Sequence, residues 1–187
     1  MRLQKPRIPP LSLDEPMKGG GIGGRGGGRN IFGTLAHHPD LAKGFMGLGS
    51  HVLGTNQLPP REREILILRI GWLCQSEYEW GQHVIIGKSA GLTDEEIGMI
   101  AEGPDADQWS DFDATLVRAA DELHEDAFIT DTTWNALAQQ YDRNQLMDVV
   151  FTVGMYNMVS MALNSCGVQL EEGIEGFSQS PKKSTPS

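Results

Sequence analysis

Only two cysteines, Cys74 and Cys166, occur in 187 residues, and neither belongs to a CxxC pair. The chain therefore carries no disulfide framework and no cysteine zinc site, and it suits a reducing cytoplasm. Histidine is sparse too. His37, His38, His51, His83 and His124 fall at no metal-binding spacing, so neither a metal nor another cofactor is expected. Basic charge is in deficit: 15 Lys and Arg against 25 Asp and Glu give a net charge of −10. That balance excludes a general nucleic-acid or anionic-membrane surface. Residues 1–16 hold charges and four prolines where an export signal needs an apolar run. Convincing strands are absent. Ile65–Leu68 has strand composition, but the length of its apolar stretch and the Pro59-Pro60 start favour a helix.

One long uncharged run does occur. Val149–Leu170 spans 22 residues without a charge, nominally enough to cross a bilayer. Thr152, Asn157, Ser160, Asn164, Ser165 and Gln169 recur through it, with Gly154 and Gly167. Such a polar load suits a helix buried among other helices or at a subunit interface, so no membrane span is expected. The length fits one domain with a sizeable core.

Along the chain, residues 1–29 read as an irregular Pro/Gly-rich segment. Gly21-Ile-Gly23-Gly24-Arg25-Gly26 formally matches GxGxxG, but no strand precedes it and no βαβ pattern surrounds it. Arg25 and Arg29 are cations that could close over an anionic ligand. From Asn30 the pattern is helical throughout, and an all-α domain is expected over 30–172. Ile31–His37 is a short helix halted at Pro39, and Asp40 caps a helix through Leu41, Phe45, Leu48, Val52 and Leu53. Arg61–Leu73 is apolar nearly all round and hence buried. A helix follows from Ser76 to Ala90. Thr93-Asp94-Glu95-Glu96 is a capping box opening a helix to Ala101. Asp111 caps Phe112–Asp126, Thr130 or Asp131 opens Trp134–Tyr141, and Asp142 caps a long last helix ending near Cys166. Residues 173–187, rich in Ser, Lys and Pro, read as a disordered tail.

The informative pair is Glu79 and His83. Spaced i and i+4, they share one face of a helix, about one turn apart. A carboxylate beside an imidazole can take and return a proton near neutral pH when both are shielded from water. Trp72, Tyr78, Trp80, Val84, Ile85 and Ile86 surround them with apolar side chains, so both are expected to be buried, with a partner or a task. Glu64, on the preceding apolar helix, is the third candidate. Cys74, Tyr78, Trp80, Asn157 and Arg29 are candidate substrate contacts. Cys74, Tyr78 and Trp80 read more readily as packing residues, and Asn157 as a buried amide facing a pocket or a neighbouring subunit.

The order Leu58-Pro59-Pro60-Arg61-Glu62-Arg63-Glu64, an apolar helix, Glu77-Tyr78-Glu79-Trp80-Gly81-Gln82-His83, then Ala90-Gly91-Leu92-Thr93, resembles the carboxymuconolactone decarboxylase family. That resemblance implies the AhpD-like fold, of about six to eight helices, and a homo-oligomer, either a trimer or a hexamer. In the AhpD branch it implies a Glu, a CxxC and a His. The Glu and His fall on Glu64 and His83, and the two redox positions fall on Ser76 and Glu79. Without the vicinal thiols, dithiol peroxidase chemistry is not expected. What remains is an acid–base set, Glu64, Glu79 and His83, as in the decarboxylase branch. The expected function is cofactor-free decarboxylation of a small carboxylated lactone or enolisable acid. An AhpD-type hydroperoxide reductase and a non-catalytic helical oligomer are the alternatives.

Overall fold

A computed structural model describes residues 1–12 and 29–177, and every regular element among them is helical. The elements are α1 (Arg29–Leu35), α2 (Pro39–Ser50), a π-helical turn (His51–Thr55), α3 (Pro60–Leu73), α4 (Glu77–Ser89), α5 (Asp94–Glu102), α6 (Asp111–Glu125), α7 (Asp131–Leu137) and α8 (Arg143–Cys166). The all-α expectation holds.

Side chains that satisfy orphan backbone groups set most helix starts. Thr93 and Glu96 complete a reciprocal capping box on α5, and Asp142 and Gln145 do the same on α8. Thr130 accepts from the Thr133 amide at the start of α7. Two expected caps are displaced by a residue or two. Ser110, not Asp111, caps α6, and the His38 ring, not Asp40, accepts from the Leu41 amide to cap α2. Both aspartates sit in their helix's first turn instead, where the helix dipole favours them.

Helix α3 is the hub, packed against α4, α5, α6 and α8. This explains a helix with no polar face: Ile65, Leu66, Ile67, Leu68 and Ile70 are all fully buried. Each such side chain contributes roughly 1.5–3 kcal/mol relative to exposure. Arg69, buried in the same helix, is neutralised by both carboxylate oxygens of Asp121 and by the carbonyls of Ile100 and Ala101. Among the described residues, α8 alone has the length and composition to cross a bilayer. One of its faces, through Leu146, Val149, Val153, Tyr156 and Leu163, is buried in the core.

Two arms close over the helices. Residues 1–12 form no helix, but the amides of Arg7 and Ile8 donate to the Cys166 carbonyl and the Leu11 amide to that of Gly33. Gly33 accommodates that strand of chain, since a Cβ there would lie 2.6 Å from the Leu11 carbonyl oxygen. Residues 173–177 depart from the expected disordered tail. Phe177 packs on Trp72 and Trp80 at ring-centroid distances of 5.0 and 5.8 Å, and burying that ring anchors the arm. The glycine-rich run with Arg25, and the last ten residues of the expected tail, lie outside the described residues.

Candidate acid–base site

The turn from α3 to α4 is the local structure that assembles the site. Gln75 takes a left-handed conformation, φ 52°, which a non-glycine residue adopts at a cost of about 1–2 kcal/mol. The Ser76 amide then bonds the Gly71 carbonyl and swings α4 back along α3. Gly71 permits the close approach: a Cβ there would lie 3.0 Å from Cγ of Glu79. Ser76-Glu77-Tyr78-Glu79 has capping-box spelling, yet the Ser76 hydroxyl makes no capping bond and is buried without a partner. One Glu79 oxygen, Oε1, is buried and unpartnered too. A local rule is broken where a functional site is expected to break it.

Three ionisable groups meet there. His83 Nδ1 lies 2.7 Å from Glu64 Oε2, and His83 Nε2 lies 3.7 Å from Glu79 Oε1. Glu64, Glu79 and His83 are 0, 2 and 4 % exposed, so water screens none of these contacts. The first is a charge-assisted hydrogen bond; the second is too long to be one. Arg63 adds a fourth member, its Nε 3.1 Å from Glu64 Oε1. Burial pushes Glu79 up to about 8; the His83 charge opposes that shift and Glu64 adds to it. Burial alone would lower His83, but the charge and hydrogen bond of Glu64, then the charge of Glu79, more than reverse it and hold the ring above its ordinary value. Both shifts favour the protonated forms, an imidazolium on His83 bonded to Glu64 and a neutral carboxyl on Glu79.

A cavity with about 410 Å³ of empty space, part of it open to solvent, reaches this pair. Glu79, His83, Gln82, Tyr78 and Tyr156 supply its polar edges, and Ile31, Phe45, Met155, Val159 and Leu163 its apolar wall. The Tyr156 and His83 rings meet edge to face, 4.9 Å between centroids. The rim is held by Glu171, whose carboxylate accepts from the Asn30 amide, the Tyr78 hydroxyl and the Gln82 side chain. Such an arrangement can deliver a proton, hold a developing negative charge and exclude water from both.

Residues 39–122, from α2 through most of α6, match the carboxymuconolactone decarboxylase family. This helical region belongs to that family. The fold is AhpD-like. The structure resembles an AhpD-core, peroxidase-related protein from Ralstonia eutropha JMP134, with a TM-score of 0.69 at 17 % identity over 76 % of this chain and 77 % of that one. It also resembles the debrominase Bmp8, seen in a variant bound to 2,3,4-tribromopyrrole, with a TM-score of 0.67 at 14 % identity over 77 % of each chain. A peroxidase-related protein from Silicibacter sp. TM1040 gives 0.69 at 14 % identity, again over 77 % of each. No curated protein matches the sequence.

The remaining candidates separate. Tyr78 lines the cavity. Trp80 does not: it is 3 % exposed and stacked with Trp72 and Phe177, so its apolar ring is core. Cys74 and Asn157 bond each other, Sγ donating to Oδ1 at 2.9 Å, and neither lines the cavity wall. Burial pushes the Cys74 thiol up to about 11, which keeps it protonated. Arg29 is exposed at the first residue of α1, away from the cavity lining. Arg63, Gln82 and Tyr156 were not expected at the site. Gln82, adjacent to His83 in the motif, was the one with a sequence signal.

Proposed function

We propose that the protein is a cofactor-independent enzyme of the decarboxylase type, acting on a small carboxylated lactone or a related enolisable acid. The reading rests above all on one observation: a buried imidazole bonded to one carboxylate and facing a second, unpartnered one across 3.7 Å at a cavity wall. As carbon dioxide leaves, the electron pair of the breaking C–C bond passes into the substrate's conjugated carbonyl. His83, held as imidazolium by Glu64, stabilises the resulting enolate oxygen. Glu79, protonated at neutral pH, gives its proton to the carbon, and solvent restores it. One proton is consumed and one carbon dioxide released per turnover. Arg63 holds Glu64 in place.

The fold alone does not choose this chemistry, since similar structures include a debrominase and peroxidase-related proteins. The residues weigh against thiol chemistry. Ser76 and Glu79 stand where the resemblance puts the redox pair, and Cys74 is held as a thiol.

The test is carbon dioxide release from a panel of carboxylated lactones and β-keto acids. His83→Ala is expected to lower turnover ~10²–10⁴-fold, the usual contribution of a general acid–base group. Cys74→Ser should keep most activity, and hydroperoxide should not be turned over. A dead Cys74→Ser variant beside an active His83→Ala variant would return the assignment to thiol chemistry. An inert panel would sink the decarboxylase reading.

A further inference from the structure

The three tyrosines of this chain are all buried, and two of them are bonded as buried phenols should be. Tyr78 donates its hydroxyl to Glu171, 2.7 Å away, and Tyr141 donates to Glu62. Tyr156 differs. It is 4 % exposed, on the inward face of α8, and its hydroxyl makes no hydrogen bond to any described residue. With no protein partner, that hydroxyl is free to bond whatever occupies the adjoining cavity. Tyr156 lines the same cavity as Glu79 and His83, and its ring is fixed edge to face against the His83 ring.

We propose that the cavity binds the enolate or phenolate oxygen of a small ring compound, with the Tyr156 hydroxyl as a further catalytic hydrogen-bond donor beside His83. Tyr156, Glu79 and His83 line one space, with no hydrogen bond from the Tyr156 hydroxyl to either neighbour and with Glu79 Oε1 and His83 Nε2 3.7 Å apart. An oxygen acceptor arriving among them would bond all three. Burial keeps the phenol neutral, far above its ordinary value, so it donates rather than repels. The rest of the wall decides the remainder of the ligand. Phe45, Ile31, Met155, Val159 and Leu163 suit a flat apolar body, and no Lys or Arg is among the described lining residues. One negative oxygen finds an imidazolium; a second charged group on the ligand would find none.

This deepens the acid–base reading above and rests on it for the chemistry, but it can be tested apart from turnover. The probes are 4-nitrophenol, which ionises, and 4-nitroanisole, which has the same shape and does not. Wild-type protein is expected to bind the phenolate at least tenfold more tightly than the anisole and to lower the apparent pKa of the bound phenol, read from its absorbance. Tyr156→Phe should weaken phenolate binding ~10–100-fold, the contribution of a hydrogen bond to a charged acceptor, and leave anisole binding unchanged. Equal phenolate affinity in wild type and Tyr156→Phe, or no preference for phenolate in wild type, would overturn the proposal. Should the variant misfold, the two-probe comparison on wild type still decides it. Tyr156-dependent phenolate binding without decarboxylation of any panel compound would sink the decarboxylase reading alone. Decarboxylation with Tyr156-independent binding would sink this inference alone.

Discussion

At the scale of the residue, Glu79 is subject to two opposed effects. It sits in the first turn of α4, where the helix dipole stabilises a carboxylate by ~0.3–1 kcal/mol. Burial works the other way and carries it from 4.5 to about 8, which outweighs the dipole several-fold. A raised folded value has a definite consequence for stability. The folded protein keeps a proton that the unfolded chain releases, so this contribution is complete below about 4.5 and is lost as pH rises through about 8. His83 acts in the same direction, its contribution complete below 6.5 and lost as pH rises through its higher folded value. Denaturant unfolding should therefore show stability falling from pH 5 to pH 9, with on the order of 1–3 kcal/mol of that fall traceable to Glu79. Glu79→Gln cannot ionise and should flatten the curve while lowering turnover. An unchanged slope in that variant would mean that Glu79 is charged in the folded protein.

Among the elements, the decisive contact is α3 against α4 at Gly71. Alanine there would place its Cβ 3.0 Å from Cγ of Glu79, so the carboxylate must shift by a few tenths of an ångström. Higher helix propensity offsets the crowding by up to ~1 kcal/mol. Gly71→Ala is therefore expected to change thermal stability little and to lower turnover about tenfold or more, because catalytic groups tolerate little displacement. Equal activity at equal stability would show that the Glu79 position is not critical. The helices were legible because their ends are written locally: Thr93 with Glu96 and Asp142 with Gln145 needed no tertiary information. The caps of α2 and α6 were misplaced because Asp40 and Asp111 are good caps whose neighbours His38 and Ser110 took the role. At the site, spacing alone placed Glu79 on the same helix face as His83. Tyr156 was illegible because a buried tyrosine reads as core unless its missing partner is seen. Arg63 was hidden because a neighbouring residue in a helix ordinarily points elsewhere; here its long side chain bends back to Glu64. The packing of Phe177 is likewise a tertiary fact, since a Ser- and Lys-rich context gives no hint of a ring seated on Trp72.

For the whole molecule, the outward face of α8 carries an exposed apolar stripe. Met147, Phe151, Met158 and Met161 are 53, 53, 51 and 60 % exposed, with Gly154 between them. Their spacing of four, three, four and three residues is the seam of a coiled coil, a pattern that solvent does not favour. Gly154 has open space where a Cβ would be, so a partner helix could approach closely at mid-seam. With roughly 100 Å² from each half-exposed large side chain, the seam offers ~400 Å² per chain. That falls below the ~800 Å² per partner of a stable interface, so α8 must be joined by further surface. Leu41 and Leu48 of α2, 55 and 36 % exposed, are available for this. A homo-oligomer is the expected state, a trimer or hexamer by the family resemblance. Met158→Glu places a charge in the seam without touching the buried face of α8. Sedimentation should show wild type as an oligomer at micromolar concentration and Met158→Glu as a smaller species with unchanged helicity. A monomeric wild type would leave the seam without a function, whereas an oligomer indifferent to Met158→Glu would move the interface to another face.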